Sequence, residues 1–378
     1  MKGIVFVNQS ASYITKDIIN AFTEEFENVV LLAGSISESG QNLAPGIKIH
    51  KIIKYNRKNQ ITRLLTWSVA TLQILFIIKL RYRGYYLFIT SNPPTSTFVL
   101  PFLRNKYFIQ ILDVYPDGLI AGGFIKQGSF FDKLWSKINS KYFNRAEIIF
   151  TITDGMADKV SKYVNRKKIA VIPQWSAFNK SEKIEKQKNL FIKKYSLEDK
   201  FIIMYSGNIG LGHKIEGIID VANLLKNEKD IIFVIIGDGW KKRIIEELVN
   251  KYNLDNCLIL SYQPVEMFKH SLASADIGVV SIAGGGEKLC VPVKTYNLIS
   301  FKIPLLCITE QQSELANLIN KYKIGETFRY DQINDMAEYI LTLKNNKIIY
   351  SEYTLRLNEC AEYFTNKNVK KYIYFFKN

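Results

Sequence analysis

Two short stretches hold the residues best able to do chemistry. The first, Tyr205-Ser-Gly-Asn-Ile-Gly-Leu-Gly-His-Lys214, follows an apolar run and precedes a helical pattern. Gly207, Gly210 and Gly212 carry no Cβ, so their amides can come close to an anion, and the helix start beyond adds a favourable dipole. His213 and Lys214 then offer positive charge or hydrogen-bond donors to a diphosphate, with Asn208 inside the loop. The spacing is neither the dinucleotide G-x-G-x-x-G fingerprint nor a Walker A loop. A bare strand-to-helix turn is the plain alternative.

The second stretch is Gly284-Gly-Gly-Glu-Lys-Leu-Cys-Val-Pro-Val-Lys-Thr-Tyr-Asn297, again between a strand (IGVVSI) and a helix. Gly285 and Gly286 belong to another backbone cradle. Glu287 can accept hydrogen bonds from sugar hydroxyls, Lys294 can neutralise a phosphate, and Asn297 can pair with a ribose or a base edge. Elsewhere, Asp113 and Asp117 follow the apolar run Phe108 to Leu112. At the carboxyl end of a strand either could orient or deprotonate a hydroxyl; as a helix cap it would do neither. No cluster of Asp, His or Cys has metal-ligand spacing.

These residues need a frame. A chain of 378 residues with 47% hydrophobic and 23% charged residues is an ordinary globular chain, long enough for two domains. Apolar runs at Ile4–Val7, Val29–Ala33, Ile47–Ile53, Tyr86–Thr90, Tyr107–Leu112 and Ile148–Ile152 alternate with helical stretches. Such runs suit parallel strands covered on both faces. A second series follows the charged stretch Asn179 to Lys194: Phe201–Tyr205, Ile231–Ile236, Cys257–Leu260, Ile277–Ser281 and Leu305–Ile308. The expectation is two Rossmann-like α/β domains, 1–178 and 179–349, with a cleft between them and ligands at the carboxyl ends of the strands. Residues 350–378 read as a helical tail packing back across the junction. Gly237, in the turn Gly237-Asp238-Gly239 after a strand, joins the donor-binding candidates.

The loops resemble the donor-binding signature of glycosyltransferase family 4. Tyr205 to Gly212 is similar to the family's S-G-N-x-G loop. Ile236-Gly-Asp-Gly239 and Val171-Ile-Pro-Gln-Trp175 resemble two further landmarks. Asp113-Val-Tyr-Pro-Asp117 with Ala121-Gly-Gly-Phe-Ile-Lys126 resembles a segment of enzymes that build bacterial surface polysaccharides such as O-antigen and capsule. The resemblance covers roughly residues 4 to 345 and implies a GT-B fold. It also implies a nucleotide diphosphate-sugar, by family default a UDP-sugar, in the second domain and a lipid-linked or saccharide acceptor in the first. It further implies retention of anomeric configuration, with no metal or other cofactor. Glu287 matches the first glutamate of the family's E-x7-E motif. Asn297 falls where the second is expected, and two extra residues follow Pro292. The stretch P-V-K-T-Y-N, with Pro292, Lys294, Thr295 and Asn297, fits the surface-polysaccharide branch. In this frame His213 and Lys294 stabilise the leaving diphosphate, and Asp113 or Asp117 serves the acceptor.

Two other readings stay open: a GT-B nucleotide-sugar 2-epimerase and a non-catalytic sugar-nucleotide-binding partner. Nucleic acid is not expected, because no helix carries a clustered basic face. The formal charge of +16, from 51 Lys+Arg and 35 Asp+Glu, fits an anionic membrane leaflet or phosphorylated substrates. Trp67 to Ile78 is an apolar run too short to span a bilayer, bracketed by Arg57, Lys58, Arg63, Lys79, Arg81 and Arg83. It reads first as a core helix and second as a helix lying in the membrane interface. Scattered cysteines and the lack of a secretory pattern at the N-terminus point to the cytoplasm, at the inner face of the cytoplasmic membrane.

Overall fold

A computed structural model describes residues 3–56, 58–178, 184–210, 212–282 and 291–377. Gly285, Gly286 and Glu287 lie outside these described residues, as does Arg57. The chain forms two compact units: residues 1–177 with 366–378, and residues 178–365.

Unit 1 carries strands β1 (Ile4–Val7), β2 (Ser10–Ala11), β3 (Val29–Ala33), β4 (Ser35–Ile36), β5 (Lys48–Lys51), β6 (Tyr86–Thr90), β7 (Tyr107–Gln110), β8 (Ile149–Thr151) and β9 (Ile169–Val171). Seven of them form a sheet in the order β5-β3-β1-β6-β7-β8-β9, and β2 pairs with β4. Every pairing in the sheet is parallel. The order reverses between β1 and β6, so the loops after those two strands flank a switch point. Helices α1 (Tyr13–Phe22), α2 (Gln60–Arg81), α3 (Asp117–Ala121), α4 (Phe130–Phe143) and α5 (Asp154–Ser161) connect the strands.

Unit 2 adds β10 (Phe201–Ser206), β11 (Ile231–Ile236), β12 (Cys257–Leu260), β13 (Ile277–Ser281), β14 (Leu305–Ile308) and β15 (Gly325–Phe328). Its parallel sheet runs β12-β11-β10-β13-β14-β15, the doubly wound Rossmann order, with its switch point between β10 and β13. Its helices are α6 (Leu190–Tyr195), α7 (Glu216–Leu224), α8 (Lys242–Tyr252), α9 (Val265–Ala273), α10 (Val293–Ser300), α11 (Glu314–Tyr322), α12 (Ile333–Asn345) and α13 (Lys347–Ala361). Apolar side chains pack on both faces of the sheet, as buried parallel strands require.

The tail expected as a single helix is two. The segment α13 stays with unit 2, and α14 (Val369–Lys377) returns to unit 1 and packs on α1. There Tyr372 and Phe376 close an aromatic face built by Phe6, Phe88, Phe108 and Phe150 of four strands. The Tyr372 hydroxyl takes a hydrogen bond from Gln110 at 2.9 Å. The landmark residue Trp175 is fully buried in the same unit, its indole N–H donating to Asp17 at 2.7 Å. Its carbonyl accepts from the Tyr13 hydroxyl, so it anchors α1.

The 67–78 run is the middle of a 22-residue helix, α2. Asn59 and Thr62 form a reciprocal capping box that starts it well before the apolar run. This helix is long and apolar enough to cross a membrane by length and composition. The expectation of a plain core helix is corrected: Thr66, Trp67, Ala70, Ile74 and Ile78 form one buried stripe, while Ile61, Leu64, Leu65, Leu72, Phe76 and Leu80 are exposed.

Candidate active site

The first glycine loop opens where β10 ends, at the switch point of unit 2. Gly207 has φ +149°, and its amide donates to Ile236 O at 2.9 Å. Ile209 N–H donates to Asp238 O at 2.9 Å, so the loop is laid against the Gly237–Gly239 turn after β11. The approach is close: a Cβ on Gly237 would lie 1.9 Å from Gly207 O, and one on Gly239 2.6 Å from Ile209 O. Two of the loop's amides are therefore already spent inside the fold. Those of Asn208, Gly210 and Gly212 have no acceptor among the described residues and remain for an anion.

Lys294, in the first turn of α10, reaches this loop. A Cβ on Gly207 would meet its Nζ at 2.7 Å, so glycine is what lets the lysine in. The ammonium lies 3.8 Å from the centre of the Tyr205 ring and finds no hydrogen-bond partner among the described residues. Burial, which disfavours the charged form, brings its pKa down from the usual lysine value to about 7. The neighbouring Thr295 hydroxyl is also buried without a partner among the described residues. Asn297, one turn on, is buried in α10, and Pro292 precedes that helix.

His213 is tied to the end of β13. Its Nδ1 lies 2.6 Å from Ser281 O; a carbonyl only accepts, so Nδ1 carries the hydrogen. Neutral His213 thus presents a bare Nε2, and only the protonated ring would donate to a phosphate. Burial first, then the charge of Lys294, holds its pKa below the ordinary histidine value. Lys214 does not join the loop as expected. Its backbone N–H donates to Ser281 Oγ at 3.0 Å, and its ammonium sits 3.7 Å over the Tyr330 ring.

Sequence reasoning missed the residues that brace the loop. Lys241 donates to His213 O at 3.1 Å and pairs with Glu216 at 2.7 Å at the start of α7. Tyr205 supplies the ring under Lys294 and ties its hydroxyl to Asn208 O at 2.6 Å. No local pattern marks Lys241, since its partners lie 25 and 28 positions away. A larger surface hollow of about 850 Å³ lies near Asn227 and Asn334, at the amino end of β11. It holds none of these groups and sits opposite to where such sheets bind ligands.

In unit 1 the two candidate aspartates part company. Asp117 opens α3 and is held by Lys162 at 2.6 and 2.8 Å and by the Tyr163 hydroxyl at 3.3 Å. It acts as a helix-end ion pair. Asp113 lines a polar cavity of about 370 Å³ with Ser91, Asn92, Arg63, Trp67 and Tyr115, past the ends of β6 and β7. Ser91 Oγ accepts from the amides of both Leu112 and Asp113, which fixes the turn.

Known proteins resemble this chain in sequence and in fold. Residues 186–362 match the family model for glycosyl transferases group 1. The chain is 27% identical over 331 residues to the probable glycosyltransferase WbjE of Pseudomonas aeruginosa, covering 84% of this chain and 81% of that protein. It is 26% identical over 228 residues to WcaI of Escherichia coli (strain K12), whose name places it as a glycosyl transferase of colanic acid biosynthesis; 58% of this chain and 56% of WcaI align. Among solved structures it is similar to WaaG, a glycosyltransferase involved in lipopolysaccharide biosynthesis, with TM-score 0.65, 13% identity and 95% of each chain covered. It is also similar to HepE of Anabaena in complex with UDP and glucose, with TM-score 0.71, 9% identity and 99% and 98% covered.

Sheet order and structural neighbours give the chain the GT-B fold, and its second unit matches the glycosyl transferases group 1 model. Among these similar proteins, WcaI is named for colanic acid biosynthesis and WaaG for lipopolysaccharide biosynthesis.

Proposed function

We propose that the enzyme takes a sugar from a UDP-sugar bound on unit 2 and transfers it, with retention, to a lipid-linked saccharide in surface-polysaccharide synthesis. The observation that carries this reading is the buried Lys294 ammonium, pressed against Gly207 with no anionic partner among the described residues. As the glycosidic bond breaks, negative charge grows on the diphosphate, and a fixed cation beside the free loop amides stabilises it. That role is otherwise served by a divalent metal. The epimerase reading needs two carboxylates near the donor sugar, and the ion pair of Asp117 with Lys162 leaves it less support.

Incubation with UDP-sugars and a lipid-linked saccharide, with product stereochemistry read from anomeric NMR couplings, tests the proposal. A product of the donor's own anomeric configuration, formed equally well in excess chelator, is expected. An inverted product, an epimerised donor, or activity restored only by a divalent cation would each contradict it.

The acceptor reading places the enzyme at the inner face of the cytoplasmic membrane, docked reversibly through α2. Its buried stripe packs within unit 1, its exposed apolar residues face outward, and its last turn carries Lys79 and Arg81. Each basic residue close to an anionic surface contributes about 1 kcal/mol, screened beyond ~8 Å at physiological salt. Sedimentation with anionic vesicles should therefore fall with salt and fall further for Lys79→Gln with Arg81→Gln and for Phe76→Ser. Salt-independent sedimentation, or none at low salt, would leave α2 without a membrane role.

A further inference from the structure

Beside the polar cavity of unit 1 lies a second one of about 410 Å³, and the two share Arg63 and Trp67 as a common wall. The second is apolar, lined chiefly by Leu64, Phe98, Leu119, Phe124, Phe131 and Trp135. At the partition, the Arg63 guanidinium lies 5.2 Å over the Trp67 ring and makes no ion pair among the described residues. Trp67 is 4% exposed, and its indole N–H is buried with no acceptor among the described residues. A buried N–H of this kind costs free energy unless a ligand meets it. Leu64 and Phe131 at the rim are strongly exposed, and the outward apolar residues of α2 continue from there.

We infer that these adjoining cavities are one bipartite site for an amphiphile: the apolar chamber takes the hydrocarbon chain of the acceptor's lipid carrier, Arg63 and the Trp67 N–H take its phosphate, and the polar chamber takes the saccharide. This inference rests on the reading of the acceptor as lipid-linked and assigns it a place. The order of chemistry along the wall carries it. An apolar aromatic chamber, a cation and an N–H donor with no partner among the described residues, and a polar chamber lined by Asp113 match chain, phosphate and sugar in sequence. An apolar peptide would match only the first. The exposed apolar face of α2 gives a chain a route from a bilayer into the chamber.

Intrinsic tryptophan fluorescence of the full chain reports on the site, since Trp67 and Trp135 line it. Titrations would use geranylgeranyl diphosphate below its aggregation threshold, geranylgeraniol and inorganic diphosphate, with UDP binding as a separate control. The prenyl diphosphate should bind most tightly. Phe131→Asp should weaken it by roughly ten-fold or more, because a charge then faces the chain. Arg63→Gln should weaken the diphosphate but not the alcohol. Leu355→Gln, on the exposed face of α13 in unit 2, should change nothing. Equal loss in Leu355→Gln and Phe131→Asp would show binding to any apolar surface and overturn the inference. So would inorganic diphosphate binding as well as the prenyl form. Intact UDP binding without prenyl diphosphate binding would leave the transferase reading standing and remove this site alone.

Discussion

Lys294→Met lowers kcat/KM for sugar transfer by roughly 10²–10³-fold, about 2.7–4 kcal/mol in the barrier, with the fold intact. Methionine keeps the length that fills the space between Tyr205 and Gly207 while removing the charge, so packing is not the variable. The same change carries a pH signature in stability. Lys294 has its pKa brought down to about 7 in the folded chain, against about 10.4 when unfolded. Between those values the unfolded chain binds the extra proton, so wild-type stability rises with pH across that window. Below about pH 7 the full penalty of the buried charge is present; above about 10.4 it is gone. Lys294→Met removes that rise, and thermal melts at pH 6 and pH 9 compare the two chains directly. A variant with unaltered turnover would remove Lys294 from the diphosphate site. A melting profile that still rises as in the wild type would place the titration elsewhere.

Gly237→Ala should be the most destabilising single change in unit 2. Gly237 has φ +155°, where a side chain is strained by about 1–3 kcal/mol, and the added Cβ would fall 1.9 Å from Gly207 O. That neighbour is backbone at the end of the central strand β10 and cannot swing aside as a flexible side chain would. A loss of about 3 kcal/mol or more is expected, a fall in melting temperature of roughly 6–12 °C for a unit of this size. Because the displaced atom belongs to the loop proposed to hold the diphosphate, UDP affinity should drop as well. Calorimetry of unfolding and of UDP binding reads both. A variant as stable as the wild type would mean the two loops are not pressed together.

The parts legible in the sequence were those whose signal is local. Continuous apolar runs marked β1, β3, β6, β10, β11, β13 and β14, because strands covered on both faces must be apolar throughout. Of the four edge strands, β5 and β12 were marked by apolar runs, and β9 and β15 were not. The edge strand β15 holds Glu326 in the middle of Gly-Glu-Thr-Phe, and β9 is three residues behind a basic run. An edge strand is sheltered on one side only and tolerates charge, so neither announces itself. For α2 the apolar run was plain, but with apolar residues all round the helix no period told which face the unit would cover.

At the site, Gly207, His213 and Lys294 were marked by type and by place after a strand. Their supports were not. Whether a lysine points at a phosphate or a tyrosine depends on a contact 116 positions away, as Lys214 with Tyr330 shows. Likewise Asp117 and Asp113 look alike in the chain, and it is Lys162, 45 positions on, that ties Asp117 into an ion pair.

The return of α14 to unit 1 bears on how the protein is made. A ribosome delivers Ile4 long before Phe376, yet Phe376 packs against the core cluster that holds Ile4. At 5–20 residues per second, roughly 10–40 s pass between the emergence of Ala177 and that of α14. Throughout that interval the aromatic face of Phe6, Phe88, Phe108 and Phe150 lacks the Tyr372 and Phe376 rings that close it. The unit begun first is thus the one finished last. A premature stop just ahead of α14 leaves a unit whose strands were made long before without the helix that closes it.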